Sequence, residues 1–342
     1  MIKKALLIAL LITLALLAGG GIFLYSAVNA EIDEHFAGTC TQVELNGSGE
    51  DIQLDRERGF AYLSVFDRMA TATGDPTERG QILRLDLNNP DAQPVNALLT
   101  EPEHMHPHGL SMFIDESGQR HLIMINHPED RENGQDTIER FVEDSPGNFS
   151  FVESFASPLI TRPNDLVATG PREFYVAQDT GQGTGQTVTD LIYFDGNNYA
   201  VVADDIESGG GINVSADYSE LYVAETNGKK VRVFSRNMDG SVTTLRSIDL
   251  GTSPDNINVA EDGTLLIGAH SNLVALVMHF IVGSDSPSQI MRVNTAVTPA
   301  TVDEIYLNGG EEISAGSGAD QYGNTLLIGS ITDKKILLCE FD

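Results

Sequence analysis

From Glu50 onward one succession of short segments recurs six times, and a chain built this way has few folds open to it. Each copy has a polar opening, a short strand, a turn, a second apolar strand and a third strand of alternating character. The openings are Glu50-Asp51-Ile52, His108-Gly109-Leu110, Asn164-Asp165-Leu166, Gly211-Ile212-Asn213-Val214, Asp255-Asn256-Ile257 and, more loosely, Ile313-Ser314-Ala315. Second strands are expected at 60–65, 121–126, 173–177, 220–224, 264–268 and 325–329. Third strands are expected at 81–87, 137–142, 190–194, 230–234, 289–293 and 335–341. Apolar residues fall in runs broken by Gly, Asp, Asn and Pro, with little helical period, so the chain reads as all-β. The openings lie 44 to 58 residues apart, the length of a four-stranded blade. The expected fold is a single six-bladed β-propeller with a central metal channel.

In a propeller the first strand of every blade lines the axis, so the polar openings converge at one mouth. The second strands run back antiparallel and return to that face, bringing Asp67, His127, Asp179, Glu225 and His270. Adjacent hard-oxygen residues at a strand mouth point to opposite faces, so one pair can serve two cation sites. Glu50, Asn164, Asn213, Asp255 and Asn256 form an oxygen-only set suited to Ca²⁺ and poorly suited to zinc. Asp51 and Asp165 can hold a second Ca²⁺ deeper in the channel together with a backbone carbonyl. A water-filled channel lined by hydrogen-bonded Asn and Asp would carry the same pattern. His108 and His127 belong to one copy, one entering its first strand and one leaving its second, and a paired His can act as general base near neutral pH. His104, His106, His121 and His279 read as surface or packing residues, and His270 as pocket lining.

The 50 acidic against 20 basic residues give a formal net charge of −30, which argues against nucleic acid and anionic lipid surfaces as partners. Lys3-Lys4 precede an uncharged, mainly apolar stretch from Ala5 to Ala27, long enough to span a bilayer at roughly 20 residues. Gly19-Gly20-Gly21 and Val28-Asn29-Ala30 also give it the shape of a secretory signal with a small-residue cleavage site. Residues 1–30 are therefore expected to be a signal peptide or a signal anchor, an apolar helix preceding the propeller, with membrane attachment through residues 5–27 in the second case. Residues 31–342 are expected to be one catalytic propeller domain, exported to the periplasm or the cell exterior. In an oxidising compartment the two cysteines, Cys40 and Cys339, read as a disulfide. If Thr41 to Leu45 add a strand to the last blade, that bond locks the ring shut.

No G-x-S-x-G elbow, P-loop or H-E-x-x-H is present, so serine hydrolase, nucleotide and zincin chemistries lack support. The pattern resembles the paraoxonase family of calcium-dependent lactonases and arylesterases from Cys40 to Cys339. It does so through Glu50-Asp51, Pro107-His108-Gly109-Leu110-Ser111, Asn126-His127-Pro128, Asn164-Asp165-Leu166-Val167-Ala168, Gly211-Ile212-Asn213-Val214-Ser215 and Asp255-Asn256-Ile257. The resemblance implies hydrolysis of small-molecule lactones and aryl esters with two calcium ions per chain. The catalytic ion would be held by Glu50, Asn164, Asn213, Asp255 and Asn256, the structural ion by Asp51, Asp165 and the carbonyl of Leu110. It implies a His108/His127 dyad activating water, with Asp255 as a rival base, and a Cys40–Cys339 bond. Two departures stand out: the loop from Thr180 to Asp190 is short and Gly-rich, and the apolar run from Leu273 to Val282 reads as a lid or as core. A sugar lactonase of the gluconolactonase type and a non-catalytic calcium-binding propeller are the alternatives.

Overall fold

The computed structural model describes residues 31–72, 79–89, 91–130, 133–181 and 184–342. The leader at 1–30 and its expected helix lie outside the described residues. Among those described, no helix is long and apolar enough to cross a membrane.

Six sheets form the blades of a propeller, antiparallel throughout except where Leu98–Thr100 joins the edge of the second blade in parallel. Their innermost strands are Ser48–Asp55, Pro107–Ile114, Pro163–Ala168, Gly209–Val214, Ser253–Val259 and Gly316–Tyr322. The sixth blade thus opens three residues later than its sequence suggests. Ser314 and Ala315 are turn residues, Ala315 with a left-handed φ of 52°, and the Ser314 N–H bonds the Asp333 carboxylate. The ring closes with strands from both ends of the chain, since Gly38–Glu44 pairs with Lys335–Phe341 as the outer strand of blade 6. Cys40 and Cys339 face each other in that register and are joined by a disulfide.

The core follows from this plan. Each sheet is apolar on both faces, and six buried clusters fill the gaps between neighbouring blades. Tyr222, Val231 and Val233 of blade 4 meet Ile257, Leu265 and Ile267 of blade 5, for example. No blade can bury its faces alone, which makes closure of the ring the condition for a complete core.

Every inner strand breaks register with its neighbour near the same end. The irregularities fall between Gly49 and Asp51, Pro107 and Leu110, Pro163 and Asp165, Gly209 and Ile212, Pro254 and Ile257, and Gly316 and Ala319. A bulge leaves residues unpaired and re-aims their side chains. Here the unpaired positions hold Glu50, His108, Asn164, Asp255, Asn256 and Ser317, so one level of the channel gathers polar groups. Glycines let the strands approach at this level. A Cβ on Gly109 would stand 2.5 Å from Asp165 Oδ1, and one on Gly211 would stand 2.4 Å from the Ile257 nitrogen.

Helix α1 (Arg68–Ala72) follows the second strand of blade 1, and α2 (Leu273–Val282) follows that of blade 5. The apolar run is thus a helix near the mouth, capped by the Asn272 side chain on the Ala275 N–H and ended by Gly283 at φ 71°. It buries Ala275 and His279 and exposes Leu273, Val277 and Ile281.

Candidate active site and metal centre

Glu50 is the hub of the bulge level. Its Oε1 accepts from Asn256 Nδ2 at 2.8 Å, and its Oε2 lies 3.5 Å from His108 Nε2 and 3.8 Å from an Arg68 nitrogen. Burial by itself would raise the Glu50 carboxyl, but His108, Arg68 and the Asn256 amide outweigh it and hold it low, at about 2. Asp255 Oδ2 pairs with His270 Nε2 at 3.2 Å. Glu50 Oε2 and Asn164 Oδ1 are buried and accept no hydrogen bond among the described residues.

One level deeper, each carboxylate of a pair is held by backbone N–H groups. Asp51 accepts from Ile52 at 2.7 Å and from Leu110 of the next blade at 2.6 Å. Asp165 repeats the arrangement with Leu166 at 2.7 Å and Ile212 at 2.9 Å. Burial, then the Glu50 charge, pushes the Asp51 carboxyl up to about 8, and burial with the Asp51 charge raises Asp165 well above its usual range. Both carboxyls thus favour their neutral forms, and a cation bound by these groups would reverse the balance.

The donors suit calcium in kind. Among the described residues no three His, Cys, Asp or Glu groups come together as a metal cluster. A resident cation would therefore need amide and carbonyl oxygens as well, which is a hard-cation set. The orphaned oxygens of Glu50 and Asn164 are the vacant acceptors that such an ion would use.

Asn213 does not join this level. Its Oδ1 accepts from the Val214 N–H at 2.9 Å and its Nδ2 donates to the Ile257 carbonyl at 3.0 Å, so both ends of the amide are engaged. It lines a separate cavity of about 150 Å³ toward the far ends of the inner strands, with Gln53, Ser111 and Tyr218. In blade 4 the unpaired bulge positions are Gly210 and Gly211.

The two histidines do meet. His108 Nδ1 is 2.9 Å from His127 Nε2, and His127 Nδ1 is 2.7 Å from Asp136 Oδ1. Asn126 braces the pair by accepting the His106 N–H and donating to Glu139 and the His104 carbonyl. Asp136 was not foreseen. It stands just before the third strand of blade 2 (Thr137–Ser145), where the strand ends alternate with those carrying His108 and His127. The register Thr137 opposite Asn126 is the signal that would have found it.

Other polar ends of the second strands are neutralised by cations. Asp67 pairs with Lys334, Asp179 with Arg162, and Glu225 with Arg232 and Lys230. Arg68, also unforeseen, donates to Ser48 Oγ at 3.1 Å and to the Pro107 carbonyl at 2.7 Å, next to Glu50. His121 pairs with Asp115, His104 with Glu129, His106 stacks on Phe66, and His279 binds Thr332 Oγ1, which fits their reading as surface or packing residues.

The family model described as Arylesterase matches residues 50–341. Human serum paraoxonase/arylesterase 1 is 28% identical over 322 residues, with 88% of each chain covered. Human serum paraoxonase/lactonase 3 is 30% identical over 315 residues, with 87% of each covered. Among solved structures, a luciferin-regenerating enzyme superposes with a TM-score of 0.55 at 12% identity, covering 89% of this chain and 95% of its own. A putative gluconolactonase gives 0.54 at 14% identity, covering 89% and 92%. At such identities the structural likeness speaks for the fold, a propeller.

Proposed function

The chain belongs to the arylesterase family, and from that premise we propose that this ester-hydrolysing enzyme cleaves lactones and aryl esters in a calcium-dependent reaction with His108 as general base. The observation that carries this reading is the juxtaposition of His108 Nε2 with the orphaned Glu50 Oε2, 3.5 Å apart at the mouth of the channel. Calcium held by Glu50, Asn164, Asp255 and Asn256 would supply Lewis-acid polarisation of the substrate carbonyl. Asp51, Asp165 and the Leu110 carbonyl would hold a second ion in a structural role. Asn213 is left out of the set because its amide is already engaged.

His108 takes a proton from water as the water oxygen bonds to the carbonyl carbon. The same imidazolium then returns the proton to the departing alkoxide or aryloxide as the ester C–O bond breaks. An ester gives an acid and an alcohol, and a lactone gives a single hydroxy acid. Asp255 is the less suitable base, since its Oδ2 is shared with His270. Residues 1–30 serve export in this reading, which the Cys40–Cys339 bond fits.

The test is hydrolysis of simple lactones and phenyl acetate by the propeller from Glu31, before chelation, after it, and after calcium is restored. Activity should vanish and return. In His108→Gln calcium binding should survive while turnover falls about 100-fold or more. Substrates left untouched by calcium-loaded protein would sink the hydrolase assignment, and an active His108→Gln would move the base role to Asp255.

A further inference from the structure

Resting on His108 as the base, we propose that Asp136 is a positioning residue that fixes the tautomers of both histidines, leaving the lone pair of His108 Nε2 facing the substrate.

Three successive strands of blade 2 bring Asp136, His127 and His108 into line, with steps of 2.7 Å and 2.9 Å. Glu50 stands at the other end, 3.5 Å from His108 Nε2. Two neutral imidazoles carry two N–H protons, and one of these occupies the bond between the rings. The remaining proton points either outward to Asp136 or inward to Glu50. An ionised carboxylate only accepts. If Asp136 accepts from His127 Nδ1, then His127 Nε2 must accept from His108 Nδ1, and His108 Nε2 is left without a proton. If Glu50 takes it, both rings reverse and His108 Nε2 becomes a donor, unable to act on water.

The geometry decides between these states. Asp136 is buried and its contact is the shorter by 0.8 Å (2.7 against 3.5). The Glu50 oxygen on the other side, Oε2, also faces the Arg68 guanidinium at 3.8 Å, which shares the charge that would draw an imidazole proton. Once His108 has taken the proton of water, the same line passes positive charge toward Asp136, which stabilises the imidazolium through His127.

The experiment compares wild type, Asp136→Asn, Asp136→Glu and His108→Gln, all calcium-loaded, by steady-state kinetics and by long-range proton–nitrogen spectra of ¹⁵N-histidine protein. Wild type should show protonated Nδ1 and bare Nε2 on both rings. In Asp136→Asn the side-chain amide can donate to His127 Nδ1. The tautomers should then reverse, with kcat down about 100-fold and KM within about threefold. Asp136→Glu should restore the wild-type ring pattern and most of kcat. If Asp136→Asn does not fold, Asp136→Glu stands alone: wild-type tautomers with kcat within about tenfold support the relay. A collapse of kcat with unchanged rings overturns it. Asp136→Asn with unchanged tautomers and turnover, beside an inactive His108→Gln, refutes Asp136 alone. An active His108→Gln refutes the underlying base assignment.

Discussion

Asn256 of blade 5 reaches past blade 6 to Glu50 of blade 1, its Nδ2 2.8 Å from Oε1 and 3.2 Å from the Glu50 carbonyl. A single amide thus binds two inner strands that share no sheet, and it does so at the level where a cation is expected. Asn256→Ala would orphan Glu50 Oε1, a buried charged acceptor, at a cost of about 1–3 kcal/mol in calcium-free protein. Calcium should raise the Tm of the wild type and raise that of the variant less. Equal calcium-induced shifts in the two proteins would remove Asn256 from the ligand set.

The disulfide joins residues 299 apart, and closing a loop of that size stabilises by about 5 kcal/mol in the chain-entropy model. Replacing both cysteines with Ser should lower the urea midpoint by a corresponding amount. Reductant should lower the wild-type midpoint to that of the variant and leave the variant unmoved. A midpoint unchanged by the substitutions would mean that strand pairing alone holds the seam.

Asp320 lies on the inner strand of blade 6, pairs with Arg56, and has a buried Oδ2 with no hydrogen-bond partner among the described residues. Burial raises its carboxyl to about 6 against the pull of Arg56. The folded pKa exceeds the unfolded one, so this group's contribution is complete below about pH 4. It is lost as pH rises through 6. The linkage amounts to about 3 kcal/mol at most. Urea midpoints at pH 4.5 and 7 should therefore show a pH dependence that Asp320→Asn reduces. Parallel slopes in the two proteins would assign the dependence to other carboxylates.

Gly109→Ala puts a methyl group against Asp165 Oδ1 and its Cα, at 2.5 and 2.6 Å. Asp165 Oδ1 is held by the Leu166 N–H and the Asp165 Cα is backbone, so neither yields freely and the cost should be about 1–3 kcal/mol, read as a lowered denaturation midpoint. Gly118→Ala is the control: its Cβ would meet nothing, though its φ of 83° carries a strain of its own. A wild-type midpoint in Gly109→Ala would show that blades 2 and 3 can separate at this level.

Repeats were the most readable part of the chain because each blade opens on polar residues that its apolar strands throw into relief. That signal failed where an opening has no ligand. Blade 6 offers Ser317-Gly318, so the sequence points to Ile313 while the strand begins at Gly316. In blade 4, Gly210 and Gly211 occupy the bulge while the amide that caught the eye, Asn213, lies deeper. A bulge consumes one or two residues without a mark in the sequence, and only pairing registers reveal which residue it leaves unpaired. Asp136 is hidden for a different reason: the polar pattern marks the starts of first strands and the ends of second strands, whereas its carboxylate precedes a third. The run Leu273–Val282 reads equally as lid or core because nearly every residue in it is apolar. Caps at Asn272 and Gly283 are what make it a helix.

The blades that supply carboxylate or amide side chains to the bulge level are the first, third and fifth. A cation gripped by these would tie alternate sectors of the ring to its axis, while the Cys40–Cys339 bond clasps the rim at the seam between the chain's two ends. One fastening is radial and the other circumferential, so loss of either leaves the other opposing separation of the blades. Chelation and reduction applied together should therefore open the ring under conditions that it withstands when either is applied alone.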